Sequence, residues 1–379
     1  MSERIVIVGG GVGGTLLANL LSKELSAEQA SVTVIDEFGQ HLYQPGWLYV
    51  PFGEESPGKL RKSEKSLLRK NVELIVERAV SVDPVKKTVE LAGKQTVPYD
   101  ILVLATGARI TPDEVPGFTD GAFHFYSSDA AIKLRARLEG FKGGRLVVGV
   151  ADIPYKCPPA PLEFVFKVDE YLSHRGLREK TELVYLSPIN RAFTIESVSE
   201  FVTPMLEERN IRTEVFFNTE EIDPVAKKVT SMEGDEIDYD LLVMVPPHRG
   251  SQLVIDSGLG DKLGWLPTDR HTLEVAGLEQ VYGLGDATDI PVSKSGSAAH
   301  FEAKVMSERI VNKLTGNTAN DPVYDGHVLC FLESGYGQAS QLAFDFENPP
   351  QPPKPSRYYH YQKTLFNKVY WYIVPKGIV

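Results

Sequence analysis

The sequence predicts an α/β fold with two parallel sheets, the second inserted into the first, and a short C-terminal segment facing a membrane or a partner. Three observations carry this. The chain opens on Ile5–Val8, four β-branched residues in a row, followed at once by a glycine cluster and a helical pattern. A similar strand–loop–helix–strand order recurs between residues 145 and 217 without repeating the opening sequence. From Asn348 to the end there are five basic residues, no acid and many aromatics.

A strand covered on both faces reads as a continuous apolar run, and Ile5–Val8 fits that description. Gly9, Gly11 and Gly14 follow at GxGxxG spacing, and Thr15–Glu24 carries Leu16, Leu17, Leu20 and Leu21 at helical intervals. The strand Ser31–Ile35 then leads to Asp36 and Glu37. In this order the parts form the fingerprint of a Rossmann-like dinucleotide-binding domain. Glycines permit a tight turn and close backbone approach, the helix start faces a pyrophosphate, and the acid takes a ribose hydroxyl. Gly9 to Asp36 is 27 positions, more than the usual ~20, and Leu25–Ala30 reads as a loop that absorbs the excess.

The aromatic stretch Gln40–Phe52 is either a loop wrapped around a planar ring system or a packed surface loop. Val72–Ile75 and Thr88–Leu91 read as short strands, and Ile101–Ala105 as a buried one. The last delivers Thr106 and Gly107, small enough for a cofactor to approach the backbone. After Pro112 and Pro116, residues 113–250 are expected to form a second Rossmann-like domain. Its strands are Arg145–Val150, Glu182–Leu186, Arg212–Phe217 and Leu241–Val245, and its helices Leu162–Leu172 and Ser197–Glu208. Residues 251–320 then return to complete the first domain with 1–112, through Val281–Asp286 and the helix Ser297–Leu314. Gly285 ends that strand. Asp286 either holds the sugar-like hydroxyls of a cofactor or caps the next turn. Residues 321–379 remain as the C-terminal segment.

A chain of 379 residues has ample core for two or three domains. Its net charge of −11 argues against nucleic-acid binding. Two cysteines are too few for a disulfide scaffold and suit a reducing compartment. No charged-then-apolar leader precedes the first strand, and no apolar run reaches 18 residues, so a cytoplasmic, non-spanning protein is expected. No metal site is read.

The loop Ala151–Pro161, where a second phosphate cradle would lie, holds four prolines in eleven positions. Proline has no N–H to offer a pyrophosphate, and Asp152 would repel one. The strand Glu182–Leu186 ends without an acid for a ribose, and Arg191 reaches a 2′-phosphate only if its loop folds back. NAD(P) binding is therefore expected to be lost while the fold persists. The loop carries Cys157 just before a helix, where a lowered thiol pKa is expected. Cys330 lies in the strand-like run Val328–Leu332. The two thiols are either inert buried residues or a redox pair meeting over a cofactor.

With Ile153–Pro161, Ser293-Lys-Ser-Gly296, His300-Phe-Glu302 and Cys330-Phe-Leu-Glu333 added, nearly the whole chain resembles the sulfide:quinone oxidoreductase family of two-dinucleotide-domain flavoproteins. The resemblance implies FAD in the first domain, with Asp36 or Glu37 on the adenosine ribose and Asp286 on the ribityl chain. It implies that Cys157 and Cys330 pass electrons from sulfide, or a related small sulfur species, to FAD and on to a quinone. Lys294 would lie near flavin and quinone, or else be a solvated lysine. Glu163 either moves protons for the sulfur chemistry or is an acid favoured by its helix start. His248 and His300 are expected in packing roles. A third cysteine common after Gly107 in the family is missing from Gly121–Tyr126. That leaves either a two-cysteine chemistry or a different oxidation. Other functions in view are an NAD(P)H-dependent quinone or disulfide reductase, and a flavin electron-transfer protein without sulfide turnover.

The tail carries Lys354, Arg357, Lys363, Lys368 and Lys376. Leu365, Phe366, Val369, Tyr370 and Ile373 share one face at helical spacing. A basic, aromatic amphipathic helix suits an anionic membrane surface. The same helix packed on its own domain, or on a second copy in a homo-oligomer, is the other reading.

Overall fold

The computed structural model describes residues 2–378 apart from Thr318 and Asn320. Those two positions, with Met1 and Val379, belong to the expected segments but lie outside the described residues.

The chain opens with β1 (Glu3–Val8), α1 (Val12–Glu24), β2 (Ala30–Asp36), β3 (Val72–Val76) and β4 (Ile101–Leu104). It continues through β5 (Gly144–Val150), α2 (Ala160–His174), β6 (Thr181–Leu186), β7 (Ile211–Glu214) and β8 (Leu241–Val245). It closes with β9 (Val281–Gly283), α3 (Gly296–Thr315), the hairpin β10 (Val328–Gly335) and β11 (Gln338–Phe344), and α4 (Arg357–Ile373). The first sheet has the order β9-β4-β1-β2-β3 and the second β7-β6-β5-β8, every pairing within them parallel. This is a mixed α/β fold.

Side chains of β1 alternate between faces, as the period of a strand requires. Ile5 and Ile7 join Leu16, Leu17 and Leu21 of α1 and Met306 and Ile310 of α3, while Val6 and Val8 meet a separate cluster with Val89, Leu102 and Val281. Both faces are therefore dry, which explains the unbroken apolar run. In the second sheet β5 behaves likewise: Leu146, Val148 and Val150 pack with Phe164, Val165 and Val168 of α2, and Val147 packs on the opposite side.

Three expectations change. The strand expected over Arg212–Phe217 stops at Glu214, and Phe216 takes φ +57°, a left-handed conformation that a strand cannot continue through. The stretch Gln40–Phe52 is no wrapping loop. It forms a short strand and a 3₁₀ turn whose Tyr43, Trp47 and Leu48 are buried in the core. The tail helix α4 forms, capped by the Ser356 hydroxyl, and its expected apolar face is split: Tyr370 is buried, Val369 and Ile373 are half-buried, and Leu365 and Phe366 are exposed. Lys363, Tyr370 and Trp371 are buried, whereas Leu365 is 61% exposed and Tyr361 65%.

The docking of α4 explains that split. His41 meets the Tyr370 hydroxyl at 2.7 Å through Nε2 and Glu64 at 3.2 Å through Nδ1. Thr15 Oγ1 donates to Glu64 at 2.7 Å, and the Tyr43 hydroxyl donates to Asn367 at 2.5 Å. Thr15, His41, Glu64 and Tyr370 are buried, so a partner lost among them costs the full desolvation of the other. The helix is thereby tied to α1 and to residues 41–64 and, through β11, to the hairpin.

Candidate active site

The glycine loop after β1 is shaped by close approach. A Cβ on Gly9 (φ +113°) would lie 2.3 Å from the Ala105 carbonyl oxygen, and one on Gly14 would lie 2.0 Å from the Gly9 carbonyl oxygen. Gly11 differs: a Cβ there meets nothing within 4 Å. Gly9 and Gly14 are thus required by packing, and Gly11 borders open space at the start of α1. Asp36 accepts the Gly10 N–H at 2.9 Å and the N–H groups of Phe38 and Gly39 at 3.1 and 2.7 Å. Asp36 is thus held by the turn, while Glu37 beside it is exposed. Across the loop, Gly107 is also open, and the buried Thr106 hydroxyl has no hydrogen-bond partner.

The fold brings Cys157 and Cys330 onto one apolar cluster, although 173 positions separate them. Each retains some exposed surface and neither is in a disulfide. Cys157 takes φ +54°, a left-handed conformation that costs a side-chain-bearing residue energy and often marks a functional position. Its N–H donates to the Lys294 carbonyl at 2.7 Å, and its carbonyl accepts the Ala160 N–H at 2.8 Å. The Ser295 side chain neighbours Cys330 and favours its ionised form. Residues 294–295, just ahead of α3, therefore touch both cysteines.

Beneath the thiols lies an ionic network. Glu163, buried on the first turn of α2, pairs with Lys363 of α4 and accepts the Glu333 N–H at 2.7 Å. The Glu333 carboxylate in turn meets His360 Nδ1 at 3.1 Å. Burial pushes the Glu163 carboxyl up, with Lys363 pulling the other way. For Lys363 burial opposes the charge, but Glu163, Tyr49 and Glu333 outweigh it, and the ammonium stays charged.

Cys157 does not follow the expectation of a lowered pKa. Burial, reinforced by Glu163 and Cys330, raises Cys157 well above a free thiol. Burial likewise pushes Cys330 up to about 12, against the pull of Ser295 and Lys363. The start of α2 does reach Cys157 through the Ala160 N–H, but one amide is outweighed by desolvation.

Lys294 links this thiol site to the turn after β9. Its ammonium donates to the Thr288 carbonyl at 2.6 Å and lies 4.2 Å from the Trp265 ring centre. It is buried, not a solvated lysine. Asp286, on that turn, has a buried Oδ1 without a partner. Burial lifts its carboxyl, with Lys156 and Lys294 opposing. Burial lowers the pKa values of His248 and His300 to about 3 and about 4, which favours neutral rings.

A family model described as pyridine nucleotide-disulphide oxidoreductase matches residues 3–303. The chain belongs to this family. Among curated relatives it is 27% identical to the mitochondrial sulfide:quinone oxidoreductase of Dictyostelium discoideum, covering 99% of this chain and 86% of that one. It is 24% identical to the Mus musculus mitochondrial protein of the same name, over 91% of this chain and 79% of that one. Among solved structures, the sulfide:quinone oxidoreductase of Aquifex aeolicus superposes with a TM-score of 0.87 at 23% identity, covering 99% of this chain and 92% of that one.

Pyridine nucleotide-disulphide oxidoreductases are flavin-dependent oxidoreductases, and the residues here fit FAD. The edge at Gly11 is open, and the Thr106 hydroxyl and one Asp286 oxygen are buried without partners, three positions that polar groups of a dinucleotide would complete.

In this pyridine nucleotide-disulphide oxidoreductase, sequence reasoning missed Lys363, Ser295 and Lys156. Lys363 had a readable signal. It lies seven positions before Tyr370, hence on the same helix face, and a lysine on a buried face demands a counter-charge. Ser295 had the signal of a helix cap, and does cap Ala298. Lys156 had none.

Proposed function

We propose that the chain is a FAD-dependent enzyme that oxidises sulfide, or a related small sulfur species, and reduces a quinone. The observation that carries this is the convergence of Cys157, Cys330, the Glu163–Lys363 pair and the Lys294–Ser295 corner beside the Asp286 turn. With the cysteines joined as a disulfide, hydrosulfide attacks one sulfur. One cysteine becomes a persulfide and the other leaves as a thiolate. Lys363 favours that thiolate by its charge, and Glu163 is within reach to carry the proton. FAD, when bound, would supply the acceptor for the electron pair released when the thiolate joins the persulfide as a trisulfide and its proton leaves, and would pass that pair to quinone. Gly9, Gly11, Gly14 and Asp36 would hold its adenosine and pyrophosphate end, Thr106, Gly107, Gly285 and Asp286 the remainder, and Lys294 its charge.

Several features support a lost NAD(P) site in the second unit. Asp152 is not the bare repulsive charge expected of it: Arg249 pairs with it at 2.8 Å. That pairing commits Arg249 within the protein. Arg191 is likewise spent on the carbonyls of Phe193 and Thr194, at 3.1 and 2.8 Å. The cavity there, about 280 Å³, is lined by Tyr155, Pro158, Phe193, Cys330 and Phe344. It lies just below the ~300–1,000 Å³ of pockets for drug-sized ligands, and suits a small sulfur species better than a dinucleotide. The reading divides the chain into a FAD domain (1–112 and 251–320), a second Rossmann-like domain (113–250) and a C-terminal segment (321–379).

The same reading places the protein on the cytoplasmic face of a membrane, where a lipid-soluble quinone is met. Among the described residues no helix is long and apolar enough to cross one. The exposed stripe Tyr358, Tyr361, Leu365 and Tyr372 of α4, with Lys368 beside it, supports peripheral contact. A homo-oligomer built on that stripe is the competing occupant.

The test is anaerobic mixing of the FAD-loaded protein with sulfide or with NADH. Sulfide is expected to bleach the flavin and an added quinone to restore it. Ready bleaching by NADH with none by sulfide overturns the reading in favour of an NAD(P)H-dependent reductase.

A further inference from the structure

Glu302 lies on α3, fully buried and outside the roles described so far. Its Oε2 accepts the Gly285 N–H at 2.6 Å, while its Oε1 has no hydrogen-bond partner. Asp286, next to Gly285, has an orphaned oxygen of its own. Three groups face Glu302. They are Asp286 on the turn, Lys294 ahead of α3, and Tyr324 on the segment leading to β10. Lys294 spends its hydrogen bonds on the carbonyls of Thr288 and Asp286. A fully buried carboxyl and a half-buried one with a buried oxygen thus influence each other, with one lysine acting on both, and such a pair resists carrying two full charges. Since Oε2 is committed as an acceptor, Oε1 is the oxygen free to carry a proton.

We propose that Glu302 is a redox-linked proton site, taking up one proton from solvent when the adjoining cofactor is reduced and releasing it on reoxidation. The proposal rests on the reading that the Gly285–Asp286 turn carries FAD. Two electrons arrive from the sulfur substrate and leave to quinone. The proton enters as negative charge builds beside the carboxyl pair, and departs when that charge goes. Glu302 touches neither substrate in this scheme. It offsets charge through the Gly285–Asp286 turn. Burial and the Asp286 charge raise its carboxyl to about 7, against the pull of Gly285 and Lys294, so the uptake falls in a physiological range.

The test is the flavin midpoint potential of the FAD-loaded protein, followed by spectroelectrochemistry across roughly pH 5 to 9. Below about 7 Glu302 carries its proton in both redox states and adds nothing. Above that, reduction draws one extra proton, so the potential falls more steeply with pH by one proton per two electrons. Flavin ionisation bends the plot the opposite way and is told apart by sign. Glu302→Gln is expected to remove the steepening, and Lys294→Met to move it to higher pH, because the lysine favours the ionised carboxyl. A straight wild-type plot, or an unchanged bend in Glu302→Gln, overturns the proposal. If Glu302→Gln fails to fold, a bend that stays put or moves down in Lys294→Met does so instead. A protein that holds no flavin gives no potential at all, and that outcome overturns the functional reading first.

Discussion

Lys363 and Glu163 stand 200 positions apart and close a buried ion pair beneath both cysteines. The pair joins the tail helix to the helix that follows the proline-rich loop. Its position gives a single cation influence over two thiols whose burial disfavours ionisation.

Removing that cation should therefore injure stability and chemistry together. Lys363→Met leaves Glu163 buried and unpaired, and the loss of one member of such a pair costs about 3–5 kcal/mol. A large drop in melting temperature is expected, with slower flavin bleaching by sulfide. Lys363→Met combined with Glu163→Gln should regain part of the stability but not the rate. A double variant no more stable than the single one would show that the pair is not coupled.

The raised thiols make a pH prediction. At neutral pH, alkylation of Cys157 and Cys330 by iodoacetamide, read by mass spectrometry, should be slower than for a free cysteine and should climb with pH. The unfolded chain loses the Cys330 proton near its ordinary value of 9.0, the folded chain only near about 12. The unfolded state thus binds fewer protons between these values, and folding stability declines as pH rises through them. Cys330→Ser should flatten that decline. Fast labelling of both thiols at pH 7 would contradict the burial argument.

The glycines separate packing from ligand approach. Gly14→Ala drives a methyl into the Gly9 carbonyl and is expected to abolish soluble protein. Gly11→Ala meets no protein atom, so the fold should survive. Its flavin content, read from visible absorbance per protein, should fall severalfold, because the added methyl occupies space meant for the cofactor. Full flavin occupancy in Gly11→Ala would remove Gly11 from the cradle.

The two faces of α4 should respond differently. Leu365→Glu lies on the exposed stripe and should change stability by less than ~0.5 kcal/mol. It should nonetheless reduce co-sedimentation with anionic vesicles. Tyr370→Ala removes a buried ring and orphans His41, which together should cost about 3–5 kcal/mol. Equal vesicle binding by Leu365→Glu and the parent would leave the stripe without a membrane role.

How much of this was readable beforehand depends on the range of the forces involved. The β1–α1–β2 unit was legible because its signals are local: an apolar run, glycine spacing and a following helix. The strand, glycine turn, helix and second strand form in the order those signals gave. The thiol environment was not legible. A helix start near Cys157 suggested a low pKa, but how many apolar groups surround a sulfur is set by distant segments. The tail misled for a similar reason. Five residues at helical spacing suggested one apolar face, yet α4 settled its rotation on Lys363, Asn367, Tyr370 and Trp371, whose partners lie in the first half of the chain. Lys294 lay between these cases: the motif flagged it, but only the folded turn shows its carbonyl holding Cys157.

The proline-rich stretch 348–356 is the covalent tether between the hairpin and α4. A single proteolytic cut there would leave both sheets uninterrupted while unmooring Lys363, His360 and Tyr370 at once. Sulfur chemistry, surface attachment and the brace on His41 would then all depend on noncovalent docking of one severed helix.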